Sequence, residues 1–403
     1  MRPLDGVRVL DLSRVLAGPY CTQYLGDLGA DVVKVEPPGQ GDETRGWGPP
    51  FVGGGEARES VYFMAANRGK RGITLDLKSE EGRRIARELA LRADVLVENY
   101  RPGTLARFGL DHAALSADNP RLISVSISGF GQTGRYRDRP GYDLIAQGMG
   151  GVMGVTGEPG GPPAKIGFPV ADLNAGTWAI IAVLTALQAR ERTGVGQAMD
   201  VSLMESQLAW HVYGTGMYFH TGASPRRRGS QHEMIAPYQA YATADGWINV
   251  AVPNQRFWAS FCALLGAGLA EDPRFATNAD RVEHREELNA VIEPLIAART
   301  SAEWLADLEE AGVPCGNIST LAEVYSDPWV EEREQIVRLP HPVAGTYVGT
   351  AFPVKASHTP ARADKAPPLL GQHTREVLAE LGYDGGAVRR LRDAGAFGRP
   401  EEG

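Results

Sequence analysis

Asp172 has the most chemical potential of any residue in this chain. It sits at the head of a long apolar stretch, Val170-Ala171-Asp172-Leu173-Asn174-Ala175-Gly176, which runs on through Trp178 to Leu187. A carboxylate in the first turn of a helix faces backbone N–H groups that lack intrahelical partners, and it faces the positive end of the helix dipole. The expectation is that it stays ionised. An ionised, partly desolvated carboxylate can attack an activated acyl group. Aspartate is also a preferred capping residue, so the same position reads as a plain helix cap.

Basic residues recur on the connections between elements: Arg68, Lys70, Arg71 and Lys78, then Arg101 and Arg107. The formal net charge is −8, which argues against general nucleic-acid binding, a property of basic domains. A local basic cluster on an acidic protein instead suits a diphosphate or 3′-phosphate ligand. Glu98-Asn99-Tyr100-Arg101-Pro102-Gly103 joins a strand end to a helix start, where backbone N–H groups can hold an anion. A second cluster, Arg226-Arg227-Arg228 followed by His232, reads either as a grip for a substrate carboxylate or as a solvated hinge between domains.

Other chemistries find little support. Gly129-Phe130-Gly131-Gln132-Thr133-Gly134 is a literal dinucleotide fingerprint after a strand, but Arg135-Tyr136-Arg137-Asp138-Arg139-Pro140 follows where an apolar helix is required. It reads as a glycine-rich turn. The eight histidines and the carboxylates show no metal-ligand spacing, so no metal site is expected. Cys21, Cys262 and Cys315 are scattered, which speaks against a disulfide framework and fits a reducing, cytoplasmic setting. No run approaches 18 apolar residues without polar interruption, and the N-terminus lacks a signal pattern, so no membrane span is expected.

The elements that must position Asp172 follow an alternating pattern. Strand-like segments at 7–12, 31–35, 72–77, 94–98 and 122–127 alternate with helix-like ones at 19–28 and 79–93. This predicts βαβ units and a doubly wound, mostly parallel α/β sheet. Long helices are expected at 172–192 and 200–220, and a hairpin at 238–243 and 247–252. Further helices are expected near 256–266, 283–298, 301–311 and 374–381. The resulting domains are a large one from both chain ends (1–224 and 326–403) and a small inserted α+β domain (225–325).

The chain also resembles the class III CoA-transferases (the CaiB/BaiF type). The resemblance rests on Arg14-Val15-Leu16-Ala17-Gly18-Pro19, Asn67-Arg68-Gly69-Lys70-Arg71 and Glu98-Asn99-Tyr100-Arg101-Pro102-Gly103. It extends through Gly141-Tyr142-Asp143, Ala171-Asp172-Leu173, Pro314-Cys315-Gly316 and Leu370-Gly371-Gln372-His373-Thr374. It implies a Rossmann-like large domain, an interlocked homodimer and Asp172 as a nucleophile on acyl-CoA. It also implies that CoA, a substrate and not a resident cofactor, touches Val15, Ala17, Leu75, Lys78, Asn99, Tyr100 and Arg107. Tyr142 and Asp143 would line the acyl site beside Leu16. Formyl-CoA transferase has a glutamine where this chain has Leu16 and a basic residue near Pro37 that is missing here, which counts against oxalate as acceptor. Tyr142 stands where the α-methylacyl-CoA racemase branch has histidine, which counts against racemisation. Gly41-Asp42-Glu43-Thr44-Arg45, and Arg228-Gly229 with His232, are similar to the succinyl-CoA:glutarate branch. That similarity implies dicarboxylic substrates held by Arg45, Arg228 or His232. A non-catalytic CoA-binding protein is the alternative outside enzymes.

Overall fold

Apolar residues alternate along the N-terminal strands and feed two cores, one on each face of a single sheet. In the computed structural model, which describes residues 1–55 and 57–398, Val9 and Val32 join one core while Leu10 and Val33 join the other. Residues 399–403, the end of the expected C-terminal segment, lie outside the described residues. The strands are β1 (Arg8–Asp11), β2 (Asp31–Glu36), β3 (Lys70–Thr74), β4 (Val95–Glu98), β5 (Ile123–Ser128) and β6 (Ala198–Ser202). All pair in parallel, in the order β3-β2-β1-β4-β5-β6. This is the doubly wound α/β architecture. Its order reverses between β1 and β4, and the crevice outside the carboxyl ends of those two strands is where such sheets bind ligands.

Five helices of the same unit matter to the site. They are α1 (Ala17–Asp27), α2 (Glu80–Arg92), α3 (Thr104–Phe108), α4 (Asp143–Met149) and α5 (Val170–Thr193). Helix α5 lays Ala171, Ala175, Ala179, Val183 and Ala186 against the core, a row of small side chains that lets it lie close. At Gly176 the approach to α1 is tightest, since a Cβ there would sit 2.7 Å from the Ala17 carbonyl oxygen. By length and composition α5 could cross a membrane, with a mean hydropathy of 1.6, but half of that window is buried in the protein.

The expected helix over 200–220 is corrected by the structure. Ala198–Ser202 instead forms the edge strand β6 on β5, and helix α6 (Leu203–Leu208) begins only after Ser202, whose Oγ accepts the Glu205 N–H. The alternating Met199-Asp200-Val201-Ser202 pattern follows the sheet once β5 is there to pair with it.

The chain divides into two compact units. One comprises Met1–Gly151, Gly167–His211 and the segment from Trp329 onward; the other comprises Val152–Ile166 and Val212–Pro328. The divisions thus fall at 211 and 328, and residues 152–166 join the second unit. In that unit β7 (Tyr238–Ala242), β8 (Trp247–Ala251) and β9 (Cys315–Asn317) form an antiparallel sheet. Helices α7 (Gln255–Leu265), α8 (Arg285–Ala297) and α9 (Ser301–Glu310) bury Phe261, Ile292 and Trp304 with Ile248 of β8.

Gly176→Ala should destabilise the protein by about 1–3 kcal/mol, because the added methyl overpacks the α1–α5 contact. A lower urea midpoint for the first unfolding transition would report it, and an unchanged midpoint would refute the contact.

Candidate active site

The loop after β1 is built on buried charge. Asp11 ends the strand fully buried, and its carboxylate accepts bonds from the Ser13 N–H (2.9 Å), Thr22 Oγ1 (2.6 Å) and Lys70 Nζ (3.0 Å). Burial pushes this carboxyl up, but the Lys70 and Lys34 ammonium groups overcome it and hold it at about 2. Lys34 Nζ donates to the Ser13 carbonyl (2.8 Å) and to Asp42 (3.0 Å), and both Asp42 oxygens accept the Val15 N–H at 3.2 Å. Val15 has φ +67°, a left-handed backbone that is strained for a β-branched residue, by about 1–3 kcal/mol. Asp42 therefore fixes a loop conformation that the valine would not choose. Across the switch point, Asn99 clamps the same loop. Its Oδ1 accepts the Arg14 N–H (2.9 Å) and its Nδ2 donates to the Arg14 carbonyl (2.6 Å).

Asp172 is the third residue of α5, and it does not cap the helix. The N-cap is Pro169, with no side-chain cap. The orphan Ala171 N–H is taken by Asp143 Oδ1 at 2.8 Å, while Asp143 Oδ2 accepts Gln147 Nε2 at 2.8 Å. The Asp172 carboxylate has no protein hydrogen bond among the described residues, and it lines a cavity of about 170 Å³ with Val15, Leu16, Ala17, Asn99 and Tyr142. Burial, with a smaller contribution from the Asp143 charge, pushes its carboxyl up to about 7. Burial thus works against the helix terminus that was expected to keep it ionised. Tyr62, stacked edge-on against Trp47 at 5.0 Å, has its hydroxyl pushed up to about 12 by burial and then by the charges of Asp172 and Asp143.

A second cavity of about 470 Å³ lies over the ends of β1, β2 and β3 and holds Leu75, Lys78 and Phe108. Arg14, Glu43 and Tyr100 border both cavities, with Arg14 paired to Glu43 at 2.8 Å and set over the Tyr100 ring. Arg107 is exposed on α3 beside Phe108, with its guanidinium on Thr104 Oγ1 at 3.3 Å.

Several expected ligand-binding cations are used internally. Arg68 pairs with Asp27 (2.6 Å), Lys70 with Asp11, and Arg71 with Asp31, Glu376 and Glu380. Arg45 is bound to Glu36 and Glu59 and stacks on Phe63 at 3.6 Å. Arg228 is paired with Glu233 (2.6 Å), and His232 packs between Tyr213 and Tyr238; both belong to the second unit. Sequence reasoning missed the cavity's Arg14, Glu43, Ser128, Arg137 and Arg139. The last two sit in the glycine-rich turn after β5, and their position past a parallel-strand end was the available signal. Among the described residues no group of three or more His, Cys, Asp or Glu could hold a metal ion.

In ¹³C NMR the Asp172 carboxyl should titrate near pH 7, and Asp143→Asn should move its midpoint down by removing a neighbouring negative charge. A midpoint near 4 in the native protein would contradict the burial argument.

The family model of CoA-transferase family III matches residues 4–374. The chain is 44% identical over 382 residues to the succinate–glutarate CoA-transferase of Agrobacterium fabrum, covering 94% of this chain and 96% of that one. It is 41% identical over 403 residues to the succinyl-CoA:glutarate CoA-transferase of Mus musculus, covering 100% of this chain and 92% of the other. The crystal structure of a CAIB/BAIF family protein from Brucella suis superposes with a TM-score of 0.84 at 43% identity, covering 94% and 99% of the two chains. A parallel sheet whose switch-point crevice holds an unbonded, half-buried aspartate thus coincides with a match along nearly the whole chain, and the protein belongs to CoA-transferase family III.

Proposed function

We propose that this protein transfers CoA from succinyl-CoA to a dicarboxylic or hydroxy-dicarboxylic acid, with Asp172 as the nucleophile. One observation carries this reading. The Asp172 carboxylate is free of protein hydrogen bonds, while its neighbour Asp143 does the capping. An Asp172 oxygen attacks the thioester carbonyl carbon, the C–S bond breaks, and a mixed anhydride forms with release of CoA thiolate. The thiolate attacks the aspartyl carbonyl and expels succinate, leaving an aspartyl-CoA thioester. The acceptor carboxylate attacks this thioester to give a new anhydride and thiolate. The thiolate then attacks the acceptor's acyl carbon, which regenerates the Asp172 carboxylate. Each intermediate conserves an activated acyl bond, provided that water is excluded.

In this reading Leu75 and Lys78 serve the nucleotide side, Val15, Leu16, Ala17, Asn99 and Tyr142 share the acyl cavity with Asp172, and Tyr100 borders both; Arg107 is assigned to CoA by resemblance. Arg45, Arg228 and His232 remain assigned to the substrate only by resemblance. The names of the relatives support the donor and the acceptor class. Three unpaired cysteines support a reducing, cytoplasmic location. An interlocked homodimer is supported by exposed Trp178, Ile181 and Leu184 on the outer face of α5, and by exposed Leu208 and Trp210 close by in sequence after β6.

Asp172→Ala should abolish exchange of labelled succinate into succinyl-CoA while leaving CoA affinity within a fewfold of native. Residual turnover, or the absence of a hydroxylamine-sensitive adduct at Asp172 in the native enzyme, would overturn the assignment. Because the nucleophile must be ionised, exchange should fall as pH drops below about 7. Light scattering at micromolar concentration should give twice the chain mass of 43.3 kDa, and a monomer would refute the dimer.

A further inference from the structure

The glycine-rich turn after β5 has a construction that the reading above leaves unused. Its two ends touch, for a Cβ on Gly129 would lie 2.9 Å from the Gly141 Cα, and one on Gly141 would lie 2.8 Å from the Gly129 Cα. Only glycine at both positions closes the loop this tightly. Inside it, Gly131 and Gly134 take positive φ, the Gly131 N–H donates to Ser128 Oγ (2.9 Å), and the Gln132 N–H donates to Asp200 (2.8 Å). The Arg137 and Arg139 N–H groups close turns onto the Gly134 and Tyr136 carbonyls. The loop is therefore an ordered platform.

What it presents is charge. Arg137 and Arg139 both line the Asp172 cavity, and neither has a carboxylate partner among the described residues. The Arg139 guanidinium lies 5.2 Å from the Tyr136 ring centroid and 5.8 Å from that of Phe130, which orients it without neutralising it. Arg14, Arg45, Arg68, Arg71 and Arg228 by contrast face carboxylates, and of the other arginines on the Asp172 cavity only Arg101, from the loop after β4, shares the lack of an ion pair among the described residues. Topology also separates the pair from the nucleotide side. Lys78 and Leu75 lie over β1 to β3, whereas Arg137 and Arg139 follow β5, beyond β4, and line the Asp172 cavity, with the Arg137 guanidinium beside Gly103.

We infer that Arg137 and Arg139 bind the second carboxylate of the dicarboxylic acid whose first carboxylate reacts at Asp172. This rests on the CoA-transferase reading above. It assigns the distal carboxylate to a loop in the same compact unit as the nucleophile, in place of Arg228 and His232. Guanidinium groups meet carboxylates through paired, charge-assisted hydrogen bonds, and they select a diacid over a monoacid of similar length.

The test uses the full-length enzyme and the double variants Arg137→Gln/Arg139→Gln and Arg137→Lys/Arg139→Lys. The glutamine pair should raise KM for glutarate about tenfold or more, the factor expected from a lost charge-assisted hydrogen bond. The affinity for CoA and the melting temperature should hold. The lysine pair, which keeps the charge, should recover part of the loss. Saturation-transfer NMR of succinate with the CoA-bound protein reads the same contact without turnover, and its signal should weaken in the glutamine pair. An unchanged glutarate KM with an unchanged succinate signal overturns the inference. So does a parallel loss of CoA affinity, which would place phosphate at these arginines. Failure of the native enzyme to exchange CoA at all would overturn the broader reading instead, and the succinate signal would still decide this one.

Discussion

Four buried charges beneath the β1 loop set the conditions for everything above them. Asp11, Lys34 and Lys70 are fully buried and Asp42 nearly so, and the group is neutral as a whole. Removing one member would leave an uncompensated charge in the interior, a loss of about 3–5 kcal/mol. Such a network adds little stability over a well-packed apolar core, so its value here lies in geometry. Its donors and acceptors are spent on the Ser13 and Pro19 carbonyls and on the Val15 N–H, and these fix the path of the chain from strand to helix. The strained Val15, the walls made by Leu16 and Ala17, and the Asn99 clamp all inherit that path.

A second constraint acts from the opposite wall. Helix α5 can bring Asp172 to this loop because Ala171, Ala175, Gly176 and Ala179 keep its inner face small near the site, and because Gly176 tolerates the Ala17 carbonyl. The approach desolvates Asp172, and Asp143 adds its negative charge, so the carboxyl rises to about 7 against the pull of the helix terminus. A less solvated carboxylate is a stronger nucleophile but is less often ionised. The balance between these two effects makes pH a lever on the site. Division of labour between two aspartates removes the ambiguity of a carboxylate at a helix start, because Asp143 takes the orphan N–H and Asp172 faces the cavity.

Some of this could be read directly from the residues. Short apolar runs alternating with helical ones predicted the parallel sheet, because burial on both faces demands continuous apolar runs whatever their partners. The end of the strand at 198–202 was read as the start of a helix at 200, since only the presence of β5 gives that segment an edge to join. Arg68, Lys70 and Arg71 looked like phosphate ligands because a sequence shows a cation but not the aspartate, 40 to 59 residues away, that neutralises it. The converse error concerned Arg137 and Arg139. They were dismissed with a failed dinucleotide fingerprint, although the polar stretch that spoiled it carries them and Gly129 and Gly141 close the loop that sets them on the cavity.

By itself, then, the sequence determined the sheet, the family and the position of one reactive carboxylate at a helix start, since local periodicity and ordered motifs encode these. Tertiary structure alone decided which aspartate caps and which is free, which cations are neutralised, and how far burial raises Asp172. Those outcomes depend on distances between residues remote in the chain and on the water that packing removes from between them.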